Sequence, residues 1–564
     1  MKIQSINGQF SALGINSVKN TKFNTPYVYA PITDSVSFKS RDKQLLSASE
    51  GEAAANKLRT STSGYRGKFG ERFNDKFVYS LTSAVIQDMN DRNQQISIVA
   101  GDTREATKKY APEIRDMFTK NGIDVLVPQL TPNFTNQISP VASPVLALAT
   151  KNFNIPLSIL LTASHNPWDD GGYNFLTDEG AVADDTTTRP IVENLVSITQ
   201  QGDTKKYTGK AGKIIKFNPY EIYKHHLEEK GIIDFDKIKE CKIDIFYEDF
   251  GGTGKYYFPK LMKDNGIEIQ KVLSSKTEGP NPTKGNLANL SSEVTKSTNP
   301  LRIGLATDGD SDRFGVVDEN GKFINTSDVI LLCAYHLIKN KGMTEGTIIK
   351  NQATSEKIDV LANYFNQQGC DIDVEQTPVG FKYLGGKMLE LEGTAKEAII
   401  TGEESGGLTV RGHIPEKDGF VALATLLELI STERKPISEI LQEINDKIGG
   451  DFVSECMNYT FKDDTAKNIA VDSFNKYMTG EETQIAGINI DYERTQDINE
   501  RLCEYKKGGD GIKLYLEDGS AVIVRKSGTE PLMRLYIDAA SQESFDALSQ
   551  ELSLEAIALG GKRK

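Results

Sequence analysis

Five short apolar, β-branched runs end in polar loops, and this pattern constrains the fold more than any other feature of the chain. Ile96–Ala100 runs into Gly101-Asp102-Thr103-Arg104, Pro156–Leu161 into Thr162-Ala163-Ser164-His165-Asn166-Pro167, and Lys242–Tyr247 into the glycine-rich stretch 248–254. Arg302–Ala306 leads to Thr307-Asp308-Gly309-Asp310-Ser311-Asp312-Arg313, and Ala398–Ile400 to Thr401-Gly402-Glu403-Glu404-Ser405-Gly406-Gly407. Runs this short, alternating with helix-length segments, predict βαβ units and largely parallel sheets. Ligands of such sheets gather at the carboxyl ends of the strands, where these polar loops fall.

The length of 564 residues suits about four domains. A polar, Lys- and Gly-rich stretch near 202–218 marks the end of one domain, and an Asn-Gly turn within 315–325 predicts a hairpin closing a second. A helix over 437–448 stopping at Gly449-Gly450 closes a third. The boundaries expected are 1–54 as a disordered or loosely docked extension, then 55–215, 216–326, 327–450 and a smaller α+β domain over 451–564.

Lys+Arg 66 against Asp+Glu 79 gives a net charge of −13, which disfavours general nucleic-acid binding or an anionic membrane surface. No apolar stretch has the length of a transmembrane helix, and the first residues lack the apolar core of a signal peptide. The 5 scattered cysteines form no CxxC and fit a reducing, cytoplasmic setting. No obligate protein partner is implied.

In the loop after Ala306, three carboxylates alternate at Asp308, Asp310 and Asp312; an extended segment would turn them to one side as oxygen ligands for a hard divalent cation. The spacing mimics a calcium loop, but Arg313 stands where the sharp turn needs glycine, and a β-run precedes it rather than a helix. An arginine at that place suits a phosphate ligand. Ser164 follows a buried strand and is a candidate nucleophile or phosphoryl carrier. His165 is adjacent, and extended neighbours diverge, so a simple Ser–His dyad is not expected. Arg525-Lys526-Ser527-Gly528-Thr529-Glu530-Pro531, with Arg534 beyond, combines cations, hydroxyls and a glycine as a phosphate cradle does. Glu403 and Ser405 offer acceptors for sugar hydroxyls. There is no Walker-type loop and no G-x-S-x-G elbow.

Together these segments resemble the α-D-phosphohexomutase family, and its phosphoglucomutases most of all, over about 59–539. The resemblance implies a four-domain α/β architecture: three similar mixed α/β domains and a smaller C-terminal α+β domain around a central cleft. It implies that Ser164 is the phosphoserine and that Ser164, Asp308, Asp310 and Asp312 hold one Mg²⁺. Glu403 and Ser405 then select the sugar, while Arg525, Ser527, Gly528, Thr529 and Arg534 grip phosphate. Thr377 and Lys382 match a substrate loop, His413 and Lys417 a segment reaching the sugar phosphate, Arg66 the first loop, and Arg313 the arginine after the metal loop. His165, Arg66, Lys382 and His413 are the catalytic candidates beside Ser164.

The chain departs from the family at Asn174, where relatives commonly carry a lysine, and at Ser405-Gly406-Gly407, where relatives acting on both mannose and glucose phosphates often carry Ser-Gly-His. The implied reaction interconverts glucose 1-phosphate and glucose 6-phosphate, with glucose 1,6-bisphosphate as intermediate and activator and hexose phosphates as small-molecule partners. The alternatives are a mannose- or amino-sugar-phosphate mutase, a non-catalytic sugar-phosphate sensor, and a phosphatase.

Overall fold

The computed structural model describes residues 28–32, 44–61, 64–130, 138–204, 207–450, 452–505, 511–527 and 530–564. Most of the expected N-terminal extension, together with Gly528 and Thr529 of the phosphate loop, lies outside the described residues. The chain forms two compact units: Met1–Phe323 with Gly407–Arg434, and Ile324–Gly406 with Lys435–Lys564.

The first unit opens on a seven-stranded sheet of β1 (Val28–Ile32), β2 (Tyr65–Lys68), β3 (Ile96–Gly101), β4 (Asp124–Pro128), β5 (Leu157–Leu161), β6 (Asp170–Thr177) and β7 (Ile214–Phe217), in spatial order β1-β7-β4-β3-β5-β6-β2. The central strands β3, β4, β5 and β7 are parallel neighbours, whereas β6 lies antiparallel to β5, β2 to β6 and β1 to β7. The sheet is therefore mixed rather than largely parallel. The stretch 162–169 between β5 and β6 is too short for a crossover helix, so the chain turns back antiparallel. Residues ahead of position 54 belong to this fold as well. Helix Ala48–Thr60 starts at Ser47, whose hydroxyl accepts from the Glu50 N–H while the Glu50 carboxylate returns to the Ser47 N–H. Helices Asp75–Asp91 and Asp185–Gln201 start on Asn74 and Asp184 side-chain caps, and their apolar faces share one core with β3 and β5.

A second sheet of the same unit holds β8 (Asp244–Glu248), β9 (Lys271–Leu273), β10 (Arg302–Thr307) and β11 (Phe314–Val317). Here β8 is parallel to both β9 and β10, while β11 returns antiparallel to β10 through the acidic loop 308–313. The segment Gly407–Arg434 supplies a strand (Gly407–Val410) and the buried helix Gly419–Glu433, which Asp418 caps through the Phe420 and Val421 N–H groups.

In the second unit, Glu345–Asn351 lies between the parallel strands Asp371–Thr377 and Ala398–Glu403. Its C-terminal part is antiparallel: Gly511–Tyr515, Ala521–Lys526, Leu532–Ala539 and Val453–Thr460 pair in that order, and helix Gln542–Ala558 packs on one face. Helix Ile437–Ile448 ends at Gly449, in the left-handed conformation with φ 84°. No helix among the described residues is long and apolar enough to cross a membrane.

Candidate active site

Ser164 leaves the carboxyl end of β5 with φ +50°, a left-handed conformation that non-glycine residues seldom adopt. This backbone turn overturns the expectation that Ser164 and His165 diverge, because the two are not extended. Ser164 Oγ lies 3.3 Å from His165 Nδ1 and donates to Asp308 Oδ2 at 2.8 Å. The His165 ring is held far below the usual histidine range by burial first, then by Arg313, Arg66, Lys417 and Arg104. That direction favours the neutral ring beside Ser164 Oγ.

The acidic loop gathers its carboxylates by turning, not by extension. Ser311 has φ +64°, its N–H reaches the Asp308 carbonyl at 3.2 Å, and the Asp308 N–H reaches the Arg313 carbonyl at 3.2 Å. One ligand oxygen from each of Asp308, Asp310 and Asp312 lies within 4.8 Å of the other two. Gly309 permits the close approach of the serine loop, since a Cβ there would meet the Ser164 carbonyl at 2.9 Å. Burial and the neighbouring carboxylates push Asp308 well above the carboxylate range and Asp310 up to about 6. Asp312 goes down: burial opposes this, but Lys417 and Arg313 outweigh it. Asp310 Oδ1 and Asp312 Oδ1 are buried without a hydrogen-bond partner. Hard oxygen donors, crowded like charge and two orphaned oxygens fit a divalent cation.

Cations surround this centre. Lys417 Nζ lies 3.0 Å from Asp312 Oδ2, so the lysine expected at the sugar phosphate sits on the acidic loop. Arg66 reaches Asn166 Oδ1 at 3.2 Å, and burial, then Arg313, holds its guanidinium below the usual arginine range. His413 is not set up as an acid–base group. Its Nε2 meets Asp418 Oδ2 at 2.8 Å, its Nδ1 meets His226 Nε2 at 3.1 Å, and Tyr223 donates to the same Asp418 oxygen at 2.6 Å. With both ring nitrogens engaged in a buried chain, His413 fixes the segment that carries Lys417.

The second unit gathers the remaining candidates at its own strand ends. Ser405 Oγ donates to Glu403 Oε1 at 2.6 Å, and Asn351 donates to Glu404 Oε2 at 2.7 Å. Glu404 is raised by burial and by Glu403, with Asn351 and Arg525 opposing. Arg525 and Arg534 face each other as cross-strand neighbours, and Ser527 follows at the strand end. Thr377 is fully buried and donates to the Pro378 carbonyl at 3.1 Å. Lys382 lies in the first turn of helix Phe381–Leu391, its ammonium 5.1 Å from the Tyr383 ring centre.

Sequence reasoning passed over three contributors. Ser143 donates to Asp310 Oδ2 at 2.7 Å, and Asp102 and Arg104 pair beneath the serine loop. The Asp102 and Arg104 signal was present in Gly101-Asp102-Thr103-Arg104, a polar loop at a strand end. Ser143, at the start of a plain apolar helix, carried none. Asn174 donates to the Thr162 carbonyl at 2.9 Å and so braces the same loop from β6.

Known proteins match this chain over most of its length. Four phosphoglucomutase/phosphomannomutase models match in chain order: alpha/beta/alpha domain I at 57–202, domain II at 221–321, domain III at 325–448 and the C-terminal domain at 488–555. A phosphoglucomutase/phosphomannomutase of Thermococcus kodakarensis is 26% identical over 490 residues, 86% of this chain and 94% of that protein. Phosphoglucomutase-1 of Oryctolagus cuniculus is 25% identical over 519 residues, covering 83% and 87%. A phosphoglucosamine mutase of Finegoldia magna is 23% identical over 502 residues, covering 87% and 96%. Among solved structures, the open form of the Paramecium phosphoglucomutase parafusin superposes with a TM-score of 0.70 at 20% identity, over 90% of this chain and 95% of that one. With all four domain models in order, the chain belongs to the phosphoglucomutase/phosphomannomutase family of α-D-phosphohexomutases.

Proposed function

We propose that the protein is a phosphoglucomutase, interconverting glucose 1-phosphate and glucose 6-phosphate through a phosphorylated Ser164 and a glucose 1,6-bisphosphate intermediate. The observation that carries this reading is the contact of Ser164 Oγ with both Asp308 and His165. The Oγ–P bond of phosphoserine breaks as a free sugar hydroxyl bonds to phosphorus. The hydroxyl proton leaves to a base and Ser164 Oγ regains a proton, with His165 Nδ1 lying 3.3 Å from that oxygen. The bisphosphate then turns over and returns its other phosphate to Ser164.

Asp308, Asp310 and Asp312 would hold Mg²⁺, which offsets charge on the transferring group. Phosphorylation removes the hydroxyl that donates to Asp308 and adds about −1.5 to −2 charges beside it. Arg66, Arg313 and Lys417 counter that charge from the protein side. Glu403 and Ser405 bond the sugar hydroxyls, and Arg525, Ser527, Gly528, Thr529 and Arg534 grip the distal phosphate. Thr377 and Lys382 complete the substrate loop. Glucose is preferred because Ser405-Gly406-Gly407 lacks the histidine that mannose-accepting relatives often carry. A cytoplasmic setting and no obligate protein partner accompany this reading.

The second reading keeps the machinery and changes the sugar, since phosphoglucosamine mutases match at similar identity. The test measures isomerisation of glucose, mannose and glucosamine 1-phosphates with trace bisphosphate, while following free phosphate. Fast turnover of glucose 1-phosphate without phosphate release is expected. Preference for another sugar would move the specificity, stoichiometric phosphate release would make the protein a phosphatase, and no turnover of any sugar would make it a sensor.

A further inference from the structure

Beneath Ser164 lies a fully buried ion pair, Arg104 Nε to Asp102 Oδ2 at 3.0 Å, with both side chains wholly shielded from solvent. A buried guanidinium must satisfy every N–H it can. Arg104 does so on a single turn: Nη2 donates to the carbonyls of Ser164 at 2.5 Å and Asn166 at 2.8 Å, and Nη1 to those of Pro167 and Asp170. Asp102 holds the other end. It accepts from the Arg104 N–H at 3.0 Å, from Thr107 Oγ1 at 2.9 Å and from Thr162 Oγ1 at 2.7 Å. Thr162 Oγ1 in turn accepts the Ser164 N–H at 2.9 Å.

The carbonyl and the N–H of Ser164 thus both lead back to one ion pair, Arg104 on one side and Asp102 through Thr162 on the other. Between them Ser164 has φ +50°. Such a conformation is strained for a residue other than glycine and persists only where the surroundings over-determine it. We propose that Asp102 and Arg104 are positioning residues that clamp Ser164 in its left-handed conformation and so aim Oγ for phosphoryl transfer. This rests on the mutase reading. A lysine could not replace Arg104, because a compact ammonium lacks the planar fork that spans these carbonyls.

The chain carries its own reporter. Its single tryptophan, Trp168, belongs to the same turn, with the Arg104 guanidinium 5.1 Å from its ring centre. The test compares wild type, Arg104→Lys and the near-isosteric Thr162→Val by steady-state kinetics, thermal melting and tryptophan emission. A displacement of about 1 Å at a reacting atom lowers kcat by roughly a hundredfold. That loss is expected for Arg104→Lys, with KM for glucose 1-phosphate within about twofold of wild type because the clamp touches no substrate. Its Trp168 emission should shift while the protein remains folded. Thr162→Val, which cuts only the N–H side, should show a smaller kcat loss at unchanged KM. An active wild type whose Arg104→Lys and Thr162→Val variants keep wild-type kcat per folded molecule would overturn the inference. So would losses confined to melting temperature. A wild type that isomerises no hexose phosphate would instead overturn the functional reading beneath it.

Discussion

Two clusters of buried charge in this molecule behave in opposite ways. In the first unit Asp308, Asp310 and Asp312 crowd together, and burial with mutual repulsion pushes Asp308 far up and Asp310 to about 6. In the second unit Glu356 receives Lys513 Nζ at 2.6 Å and Lys350 Nζ at 3.0 Å, and Lys350 also meets Asp359 at 2.5 Å. Burial alone would raise Glu356, yet Lys350 and Lys513 outweigh it and bring it down to about 2. One cluster is closed: Lys350, Lys513 and the Arg494 guanidinium, 3.3 Å from Glu356, stand against Glu356 and Asp359, with Gln376 and the Gln352 carbonyl as further acceptors for Lys513. The other crowds three carboxylates within 4.8 Å of one another, and although Lys417, Arg313 and Arg66 lie near, Asp310 Oδ1 and Asp312 Oδ1 have no hydrogen-bond partner. Buried charge that is matched points to architecture, and buried charge left unmatched points to a ligand.

The largest expected effect lies on the unmatched side. Ser164→Ala removes the proposed phosphoryl carrier, and turnover should fall by about a millionfold or more, towards the uncatalysed rate, with folding intact by circular dichroism. Glu356→Gln should do the reverse. Stripping a partner from a buried ion network costs about 3–5 kcal/mol, read in denaturant melts, while kcat per folded molecule persists. Asp308→Asn should lower kcat by about 10²–10³, the scale of losing one group that organises transition-state charge. Its melting temperature should not fall, since relief of repulsion compensates. A Glu356→Gln variant that was stable but inactive would dissolve the distinction between the clusters.

Smaller effects sharpen it. Chelation should abolish activity and Mg²⁺ restore it. At roughly a hundredfold excess over Kd, Mg²⁺ binding only the folded form should add about 2.7 kcal/mol of stability, lost in Asp310→Asn. The pH dependences should have opposite signs. Asp310 is raised from its ordinary 3.8 to about 6, so its contribution to metal-free stability is full below 3.8 and is lost as pH rises through 6. Glu356 is lowered from 4.5 to about 2, so its contribution is full above 4.5 and is lost as pH falls through 2. Melts of wild type, Asp310→Asn and Glu356→Gln across this range should separate the two slopes.

The contrast also explains what could be read from the chain beforehand. The strand ends at Leu161 and Thr307 announced themselves because apolar runs stop at polar loops, whereas the strand read over Ala398–Ile400 runs on to Glu403, and the motifs at Ser164 and Asp308–Asp312 are local in sequence. What stayed hidden depends on backbone turns or distant partners. The left-handed Ser164 and Ser311 bring His165 to the serine and the three carboxylates together, and neither residue type announces φ above zero. The engagement of His413 by His226, and of Asp310 by Ser143, joins residues 187 and 167 positions apart. The Glu356 network likewise spans 157 positions to Lys513, and no local pattern marks it.

The central claim, that Ser164 carries the phosphoryl group, is tested most directly by mass spectrometry of protein incubated with glucose 1,6-bisphosphate and Mg²⁺, then chased with glucose 1-phosphate. The account predicts one phosphoryl group on the peptide containing Ser164, absent from Ser164→Ala and passed on to the added sugar during the chase. Isomerisation at the wild-type rate by Ser164→Ala, or a phosphate on another residue that transfers at the turnover rate, would contradict it.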